Sequence, residues 1–453
     1  MSTTERRAFG PRRIAALAAS LATPLLAAAC AWQPADASRR DERQVIRAAD
    51  VRRHVEELAS DLYEGRGAGY VGEDKAAAYI ESQFRGIGLR PAGDSTPSGR
   101  SFRQRFQFHP RGPELPGQVL TSRNVLGFLE GEDEALRKDI IVLGAHHDGQ
   151  GRAGQADADR LPSADGTSDD LVWNSADDNA SSVAALIEVA RAIGRGGDPH
   201  RRSLMFATFG AEEHALNGSV HYVTDPPYPL ERHVAMVNLE KLGRAPDQTL
   251  SAASTGTCLC WDGILAEANG RTGWKVRSAI AEIIPDTDHY PFAADGIPAI
   301  VLGTIHEEDT HRPADTADKI GYDLLAARAE YIRAVLLDLA NRSEGPRFAG
   351  AAGNDLGMIP VVASESEIRI LGLPKGSGAL KVSGVIPGLP ADRAGLVPGD
   401  FIVRVNGRTL KNDVDKEAVQ QAADGSPGGL EIAVLRQGRR EVLSIRPGRL
   451  GRG

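Results

Sequence analysis

The sequence predicts an α/β domain with a mostly parallel central sheet flanked by helices, followed by a second, smaller domain. Short apolar runs rich in β-branched and aromatic residues recur along the chain at 125–129, 140–143, 204–209, 234–239 and 300–302. Segments with helical periodicity separate several of these runs. Strands that are apolar at every position are buried on both faces, as in a parallel sheet between two layers of helices.

Four segments repeat their apolar residues at helical spacing and are predicted as helices. They span residues 45–58, 74–86, 181–193 and 324–339. The segment from Gly86 to Pro116 is rich in Gly, Pro, Ser and Arg and is predicted to be irregular. A Gly-, Ala- and Pro-rich stretch at 344–353 is predicted to be a linker to the second domain.

The first thirty residues are typical of an export signal. Arginines come first, and an uncharged run from Ile14 to Ala29 ends in small residues before Cys30. The run is short for a membrane span, which needs about 20 apolar residues. The ending resembles a bacterial lipoprotein signal, so we expect residues 1–30 to be the signal and Cys30 to carry a lipid anchor into the membrane. A cut after Ala37 is the alternative, and residues 31–42 are predicted to be a tether in the periplasm or cell envelope.

The composition of the chain argues against one class of binding partner. The chain has 453 residues, a formal net charge of -8 and no long basic run, which argues against nucleic acid as the main partner. Beyond Cys30 only Cys258 and Cys260 remain, too few for a thiolate metal site. An oxidising compartment would allow this pair to form a disulfide.

Polar residues of the metal-binding type sit beside the predicted buried strands. They are His146 and Asp148 after the run 140–143, Asp177 and Asp178 before the helix 181–193, Glu212 and Glu213 after 204–209, Glu240 after 234–239, and His311 beyond 300–302. The carboxyl ends of strands form the ligand crevice of open α/β sheets. The sequence therefore predicts that these clusters converge on one site.

Their chemistry suits zinc. Histidine and carboxylate ligands with room for water are typical of catalytic zinc, and one carboxylate can bridge two ions about 3.5–4 Å apart. Adjacent side chains in extended chain point apart, so Glu212 and Glu213 divide naturally into a free base and a ligand. Asp148 can hold the imidazole of His146 through its other nitrogen.

The motifs Gly-Ala-His-x-Asp at 144–148, Ala-Asp-Asp-Asn-Ala-Ser at 176–181, Ala-Glu-Glu at 211–213, Thr-Asp-His-x-x-Phe at 287–292 and His-x-Pro-x-Asp-Thr at 311–316 occur in one order. Over about residues 50–339 the chain resembles the co-catalytic di-zinc aminopeptidase family, which includes glutamate carboxypeptidase II and the glutaminyl cyclases. The resemblance implies the zinc exopeptidase fold over residues 43–343 and two Zn²⁺ ions.

The resemblance also implies residue roles. His146 and Glu240 would bind one zinc, Glu213 and His311 the other, and Asp177 both. Glu212 would be the general base, and Asp148, Asp178, Asp288 and Asp315 would support the ligands. A cis peptide is expected between Asp177 and Asp178. The sequence departs from the family pattern at Glu240, where Asp is usual, and at Lys241, where a small apolar residue or Met is usual.

Residues 354–448 resemble a bacterial PDZ domain through the core Pro-Ala-x-x-Ala-Gly-Leu-x-x-Gly-Asp-x-Ile at 390–402. PDZ domains add a peptide strand to a sheet edge and hold its C-terminal carboxylate on backbone N–H groups. The resemblance implies a peptide C-terminus as ligand, with Leu356 to Ile359 as the carboxylate-binding loop. A stability module without a ligand is the alternative.

Together these features predict an exported zinc-dependent aminopeptidase that hydrolyses N-terminal residues from peptides. Three alternatives stay open: a glutaminyl cyclase-like acyltransferase with one zinc, a carboxypeptidase with a basic pocket, and a non-catalytic peptide-binding lipoprotein. Glu212 argues against the last, because a scaffold without activity has no use for a base beside metal ligands.

Overall fold

The computed structural model describes most of the chain from residue 46 onward. The described residues are 46–110, 118–156, 160–163, 170–244, 250–274, 276–280, 283–304, 308–349, 356–374, 376–385, 388–411, 419, 422, 429–436 and 438–446. The predicted signal, Cys30 and the tether at 31–42 lie outside them. Within the described ranges, no helix has both the length and the apolar character needed to cross a bilayer.

The larger domain alternates strands and helices. Its strands are β1 (Arg90–Pro91), β2 (Ser95–Thr96), β3 (Gly99–Arg100), β4 (Arg103–Phe108), β5 (Leu120–Leu129), β6 (Ile140–His146), β7 (Gly151–Arg152), β8 (Val172–Trp173), β9 (Ser203–Phe209), β10 (His233–Glu240), β11 (Leu250–Ala253), β12 (Val276–Ile280) and β13 (Ala299–Gly303). Its helices are α1 (Ala48–Leu58), α2 (Val71–Ile87), α3 (Ser182–Gly196), α4 (Asn217–Thr224), α5 (Trp261–Thr272), α6 (Tyr290–Ala294) and α7 (Tyr322–Asn341).

A nine-stranded sheet forms the centre of this domain, in the order β1-β5-β9-β6-β10-β13-β11-β12, with β4 paired to β5. The four neighbours β9, β6, β10 and β13 run parallel, while β5 and β11 join them antiparallel. Every residue of β6 and β9 is buried. The α/β fold class is therefore confirmed, and the parallel strands occupy the middle of a mixed sheet.

Helices cover both faces because alternate strand residues point to opposite sides. Val237 and Leu239 of β10 pack into the core formed with α1, α2, α3, α5 and α7. Met236 of the same strand packs into a second core with α4 and α6. The predicted helices are present, with ends shifted by a few residues.

The described part of the segment predicted to be irregular contains the strands β1 to β4, of which β4 is the longest. β4 pairs antiparallel with β5 from Arg103↔Val125 to Phe108↔Leu120. Its residues alternate between buried and exposed, with Phe106 and Phe108 inside. Arginine and glutamine on the outer face made this edge strand look like a loop in composition.

In the described residues, the second domain is an antiparallel sheet with short helices, two of which are described from end to end. Its strands are β14 (Met358–Val362), β15 (Leu380–Val385), β16 (Phe401–Val405), β17 (Arg408–Thr409), β18 (Leu430–Arg436) and β19 (Arg439–Ile445), and its helices are α8 (Glu365–Ile370) and α9 (Pro390–Arg393). Gly357 has a φ of 71° and stands directly before β14. Leu389, 1% exposed, joins the apolar core that contains α4 and α6.

The segment between the domains has no regular structure over residues 344–349. The backbone N–H of Ala349 donates to the carbonyl of Thr257 at 2.8 Å, which fastens the segment to the larger domain. Cys258 and Cys260 beside it form a disulfide.

Candidate metal centre

The predicted site residues meet at the carboxyl edge of the parallel strands. His146 is the last residue of β6 and Glu240 the last of β10. Glu212 and Glu213 follow β9, and Asp178 lies in the irregular turn before α3. Parallel neighbours end at the same edge of a sheet, so side chains at these ends are close together.

Two histidines share one carboxylate at this edge. His146 Nε2 lies 3.2 Å from Asp178 Oδ1 and 3.3 Å from Glu240 Oε1. His311 Nε2 lies 3.5 Å from Asp178 Oδ2 and 3.2 Å from Glu213 Oε2. The cluster therefore has two halves, each with one histidine and one glutamate, and Asp178 directs one oxygen to each half.

Asp177 does not take the shared position that the sequence predicted for it. Its Oδ1 accepts hydrogen bonds from the backbone of Gly243 at 2.6 Å and from Ser181 Oγ at 3.2 Å. Asp178, which was expected to support the ligands, instead lies between the two histidines. The geometry favours Asp178 for the shared position, because its backbone, with φ −108° and ψ 86°, departs from the helical turn around it.

The expected cis peptide is also displaced by one residue. It joins Asp178 to Asn179 rather than Asp177 to Asp178.

Glu212 lies beside the two halves of the cluster rather than within either of them. Its Oε2 is 3.8 Å from His146 Nε2, farther than the oxygens of Asp178 and Glu240. Burial raises the pKa of Glu212 well above its usual value, and the charges of Asp288 and Glu213 add to this despite His146. A carboxylate of raised pKa is suited to accept and return a proton near neutral pH.

The electrostatics of the cluster are those of a cation site. Burial alone would lower the pKa of His146, but Glu212 and Glu240 raise it well above its usual value. In the same way Glu213 and Asp178 outweigh burial and raise the pKa of His311 to about 12. The negative groups therefore dominate, and a divalent cation would satisfy them in place of the two protons.

The donor set fits zinc. Ligand atoms of His146, Asp178 and Glu213 all lie within 4.8 Å of one another. Glu240 Oε2 is buried and, among the described residues, has no hydrogen-bond partner. Imidazole and carboxylate ligands in this number are those that zinc prefers, and an oxygen without a partner is available to a metal.

Asp148 contacts both the second nitrogen of the His146 imidazole and the backbone of the glutamate pair. Its carboxylate accepts the backbone N–H of Glu212 at 3.1 Å and that of Glu213 at 3.3 Å. His146 Nδ1 lies 3.2 Å from the backbone oxygen of Asp148 and 3.7 Å from its Oδ1. Asp148 thus orients the imidazole mainly through its carbonyl, while its carboxylate holds the glutamate pair.

Asp315 and Asp288 are buried around the cluster as predicted. Asp315 accepts the backbone N–H groups of Asp177 at 2.8 Å and Asp178 at 3.0 Å, which fixes the turn that carries the shared carboxylate. Burial raises the pKa of Asp288 to about 7, and Asp148 and Glu240 contribute in the same direction. The carboxyl group of Asp288 therefore interacts electrostatically with the charged groups of the site.

Sequence reasoning missed Asn179, which is fully buried. Its Nδ2 donates to the carbonyl of Leu239 and its Oδ1 accepts the N–H of Lys241, both at 3.0 Å. These two residues flank Glu240, so Asn179 fixes the strand end that carries it. Its place directly after the aspartate pair was the available signal.

Both domains are similar in sequence to known protein families. Residues 124–336 match peptidase family M28, and residues 381–435 match the PDZ domain. Aminopeptidase YwaD of Bacillus subtilis is 24% identical over 238 residues, which are 50% of this chain and 47% of that protein. Endoplasmic reticulum metallopeptidase 1 of Mus musculus is 31% identical over 179 residues, 38% of this chain and 20% of its own length. The chain thus spans about half or less of these relatives.

Solved structures share the fold of the larger domain. A zinc aminopeptidase from Bacillus subtilis covers 66% of this chain and 97% of its own at a TM-score of 0.50 and 17% identity. The glutaminyl cyclase of Porphyromonas gingivalis covers 64% and 98% at a TM-score of 0.50 and 18% identity. The family matches add a likeness in sequence, to peptidase family M28 over residues 124–336 and to the PDZ domain over residues 381–435.

Proposed function

We propose that the protein is a zinc-dependent aminopeptidase with two metal ions. The observation that carries the proposal is the carboxylate of Asp178 between His146 and His311, with one oxygen toward each. Glu240 completes one half of the cluster and Glu213 the other. Two equivalent halves sharing a carboxylate favour two ions over the single zinc of a cyclase.

Bound zinc would lower the pKa of a water molecule and stabilise negative charge on the scissile carbonyl oxygen. Glu212 lies beside His146 and would take the proton from the attacking water. Its raised pKa would let it hold that proton and donate it to the scissile nitrogen as the C–N bond breaks, so that the product leaves as a neutral amine. Asp148 and Asp315 hold the backbone of Glu212 and Asp178 and keep the base in register with the ligands.

The preference for N-terminal residues is supported by the family match and by the aminopeptidase among the relatives.

The two adjacent glutamates allow a matched test. Glu212→Gln should retain metal and lose roughly 10²–10⁴-fold in kcat, the usual contribution of a general base. Glu213→Gln changes the same group one residue away and should lose metal instead. Hydrolysis of aminoacyl and N-blocked chromogenic peptides, with zinc content per chain, distinguishes the cases. Equal cleavage of blocked peptides, or near-normal turnover of Glu212→Gln, would contradict the proposal.

We also propose that the protein acts in the cell envelope, held by a lipid at Cys30. The apolar run ending in small residues before this cysteine supports the idea. The PDZ domain would bind the C-termini of peptides or proteins that the enzyme acts on.

A further inference from the structure

The turn from Gly65 to Gly69 carries a fully buried arginine. Arg66 has no exposed surface and a φ of 53°. Its Nε donates to the carbonyl of His147 at 2.9 Å, and its Nη2 donates to the carbonyl of Ser175 at 2.7 Å. Its Nη1 donates to the carbonyls of Leu58 and Asn174, both at 2.8 Å. One guanidinium thus joins three separate segments of backbone.

Two of these segments carry predicted metal ligands. His147 directly follows His146, and Ser175 lies three residues before Asp178. The backbone of Arg66 adds a further link, because its carbonyl accepts the N–H of Gly149 at 3.2 Å. A planar fork with fixed donor directions holds such acceptors at a set separation, which a lysine ammonium does not.

The flanking glycines let the turn come close enough. A Cβ on Gly65 would lie 2.2 Å from the carbonyl oxygen of Gly151, and one on Gly67 would lie 2.4 Å from Gln155 Oε1. A larger residue at Gly65 would push the turn away from the segments that Arg66 holds, because backbone cannot give way, whereas the side chain of Gln155 beside Gly67 can rotate.

The guanidinium keeps its charge in this position. Burial lowers the pKa of Arg66 to about 10, while Asp315 and Asp148 oppose the shift, so the group is protonated at neutral pH. A fixed positive charge beside a cation site weakens metal binding through repulsion. The charge of Arg66 and its hydrogen bonds therefore act on zinc affinity in opposite directions.

We propose that Arg66 is a positioning residue of the metal centre, whose hydrogen bonds to the His147 and Ser175 carbonyls set the distance between the two ligand-bearing segments and thereby determine zinc affinity. The inference rests on the proposed zinc enzyme. The hydrogen bonds of Arg66 should affect zinc affinity more than its charge does. Loss of the guanidinium should therefore weaken zinc binding rather than strengthen it.

Arg66→Lys keeps the charge and loses the fork, and Arg66→Gln loses both. If positioning dominates, both variants bind zinc at least about 10-fold more weakly, within the 10–100-fold range for groups that orient metal ligands. If charge dominates, Arg66→Gln binds zinc more tightly than wild type. Competition with a chromophoric chelator gives the dissociation constants, and unfolding temperature in excess chelator gives the stability of the metal-free chain.

Arg202 supplies the matched control. It is 1% exposed and donates to the carbonyls of Leu339 at 3.3 Å and Arg342 at 2.6 Å, which carry no predicted ligand. Arg202→Lys and Arg202→Gln should lower stability without changing zinc affinity. An equal loss of affinity in the Arg202 and Arg66 variants, or normal affinity in Arg66→Lys, overturns the inference.

Gly65→Ala decides the case if the Arg66 variants do not fold. It leaves Arg66 in place and displaces the turn, because its Cβ would meet the backbone oxygens of Gly151 at 2.2 Å and Trp173 at 2.4 Å. It should therefore weaken zinc binding, and unchanged affinity overturns the inference. A wild-type protein that binds zinc but cleaves no aminoacyl substrate refutes the proposed function alone, because the affinity measurements do not depend on turnover.

Discussion

Separate replacement of Asp178 and Asp177 by Asn tests which carboxylate the metal centre depends on. Asp178 faces both histidines, at 3.2 Å from His146 and 3.5 Å from His311. Asparagine has one oxygen instead of two, so Asp178→Asn deprives one half of the site of an acceptor and both halves of a negative charge. Asp177→Asn keeps an oxygen for Gly243 and Ser181 and removes charge only from a supporting position.

The magnitudes follow from these contacts. Groups that orient metal ligands are worth about 10–100-fold in metal affinity. We expect Asp177→Asn to stay within that range and Asp178→Asn to exceed 100-fold, which is about 2.8 kcal/mol at 1.4 kcal/mol per tenfold change. The metal-free chain should lose stability in the same order. Burial at Asp178 is outweighed by hydrogen bonds to His146 and His311, which hold its pKa well below the usual value, whereas burial raises the pKa of Asp177.

Chelator competition and urea unfolding in excess chelator measure the two quantities on the same preparations. Loss of both metals in Asp177→Asn with retention in Asp178→Asn would refute the assignment of the shared carboxylate. Equal losses in both would show that the turn, rather than one carboxylate, controls the metals.

Four further predictions concern other parts of the molecule. Glu240 is one methylene longer than the Asp usual in the family, so the zinc beside His146 should exchange first with cobalt, and Glu240→Asp should not restore its affinity; a single-step loss of both metals on chelator titration would contradict this. Burial raises the pKa of Glu73 from 4.5 to about 7, so folding takes up a proton in this window and the free energy of unfolding falls as pH rises through it. In urea unfolding with chelator, the free energy of unfolding of Glu73→Gln should therefore rise relative to that of wild type by on the order of 2 kcal/mol between pH 5 and pH 8. A difference between the two proteins that does not depend on pH would argue against this. A chain ending at residue 349 should still cleave aminoacyl substrates but unfold at lower temperature, because Leu389 is 1% exposed against the core that contains α6; a folded, inactive fragment would show that the PDZ domain completes the site. Cys30→Ser should release the protein from membranes of its native cell, whereas a wild type already found in the soluble fraction would favour cleavage after Ala37.

The centre of the sheet was predictable because its strands are apolar at every position. β6 and β9 are buried throughout, and such runs have few alternatives to a parallel strand between helices. β4 at the sheet edge was not predicted, since only one of its faces is buried and its outer residues are those of a loop. Hydrophobic patterns in a sequence indicate which residues are buried, and an edge strand has fewer buried residues than a central strand.

The candidate site was predictable in membership but not in register. The motifs around His146, Glu213, Glu240 and His311 predicted one cluster, and the structure places His146 beside Glu240 and His311 beside Glu213. Between two adjacent aspartates, however, the sequence could not tell which side chain turns inward, because the turn Ala176–Ser181 departs from regular helix geometry at Asp178 and Asn179. Periodicity assigns faces only where the backbone is regular.

Several residues at or near the predicted ligands have left-handed backbone, which was not predictable from the sequence. Ser175, Ala211, Lys241 and His311 all have φ between 48° and 59°. They are a ligand itself or lie within three residues of one. Left-handed backbone is usually signalled by glycine or asparagine, and none of the four is either. For other residues such a conformation costs of order 1–3 kcal/mol and persists only when neighbouring groups hold it.

Specific hydrogen bonds hold three of these residues or their direct neighbours. Arg66 binds the carbonyl of Ser175, and Asn179 binds the N–H of Lys241. Asp148 accepts the N–H of Glu212, which directly follows Ala211. Each of these polar side chains is buried and belongs to a different segment from the backbone that it holds. These three side chains hold the left-handed backbone that positions the ligands. A conservative change in any of them should therefore lower metal affinity by about 10–100-fold while every ligand stays in the sequence.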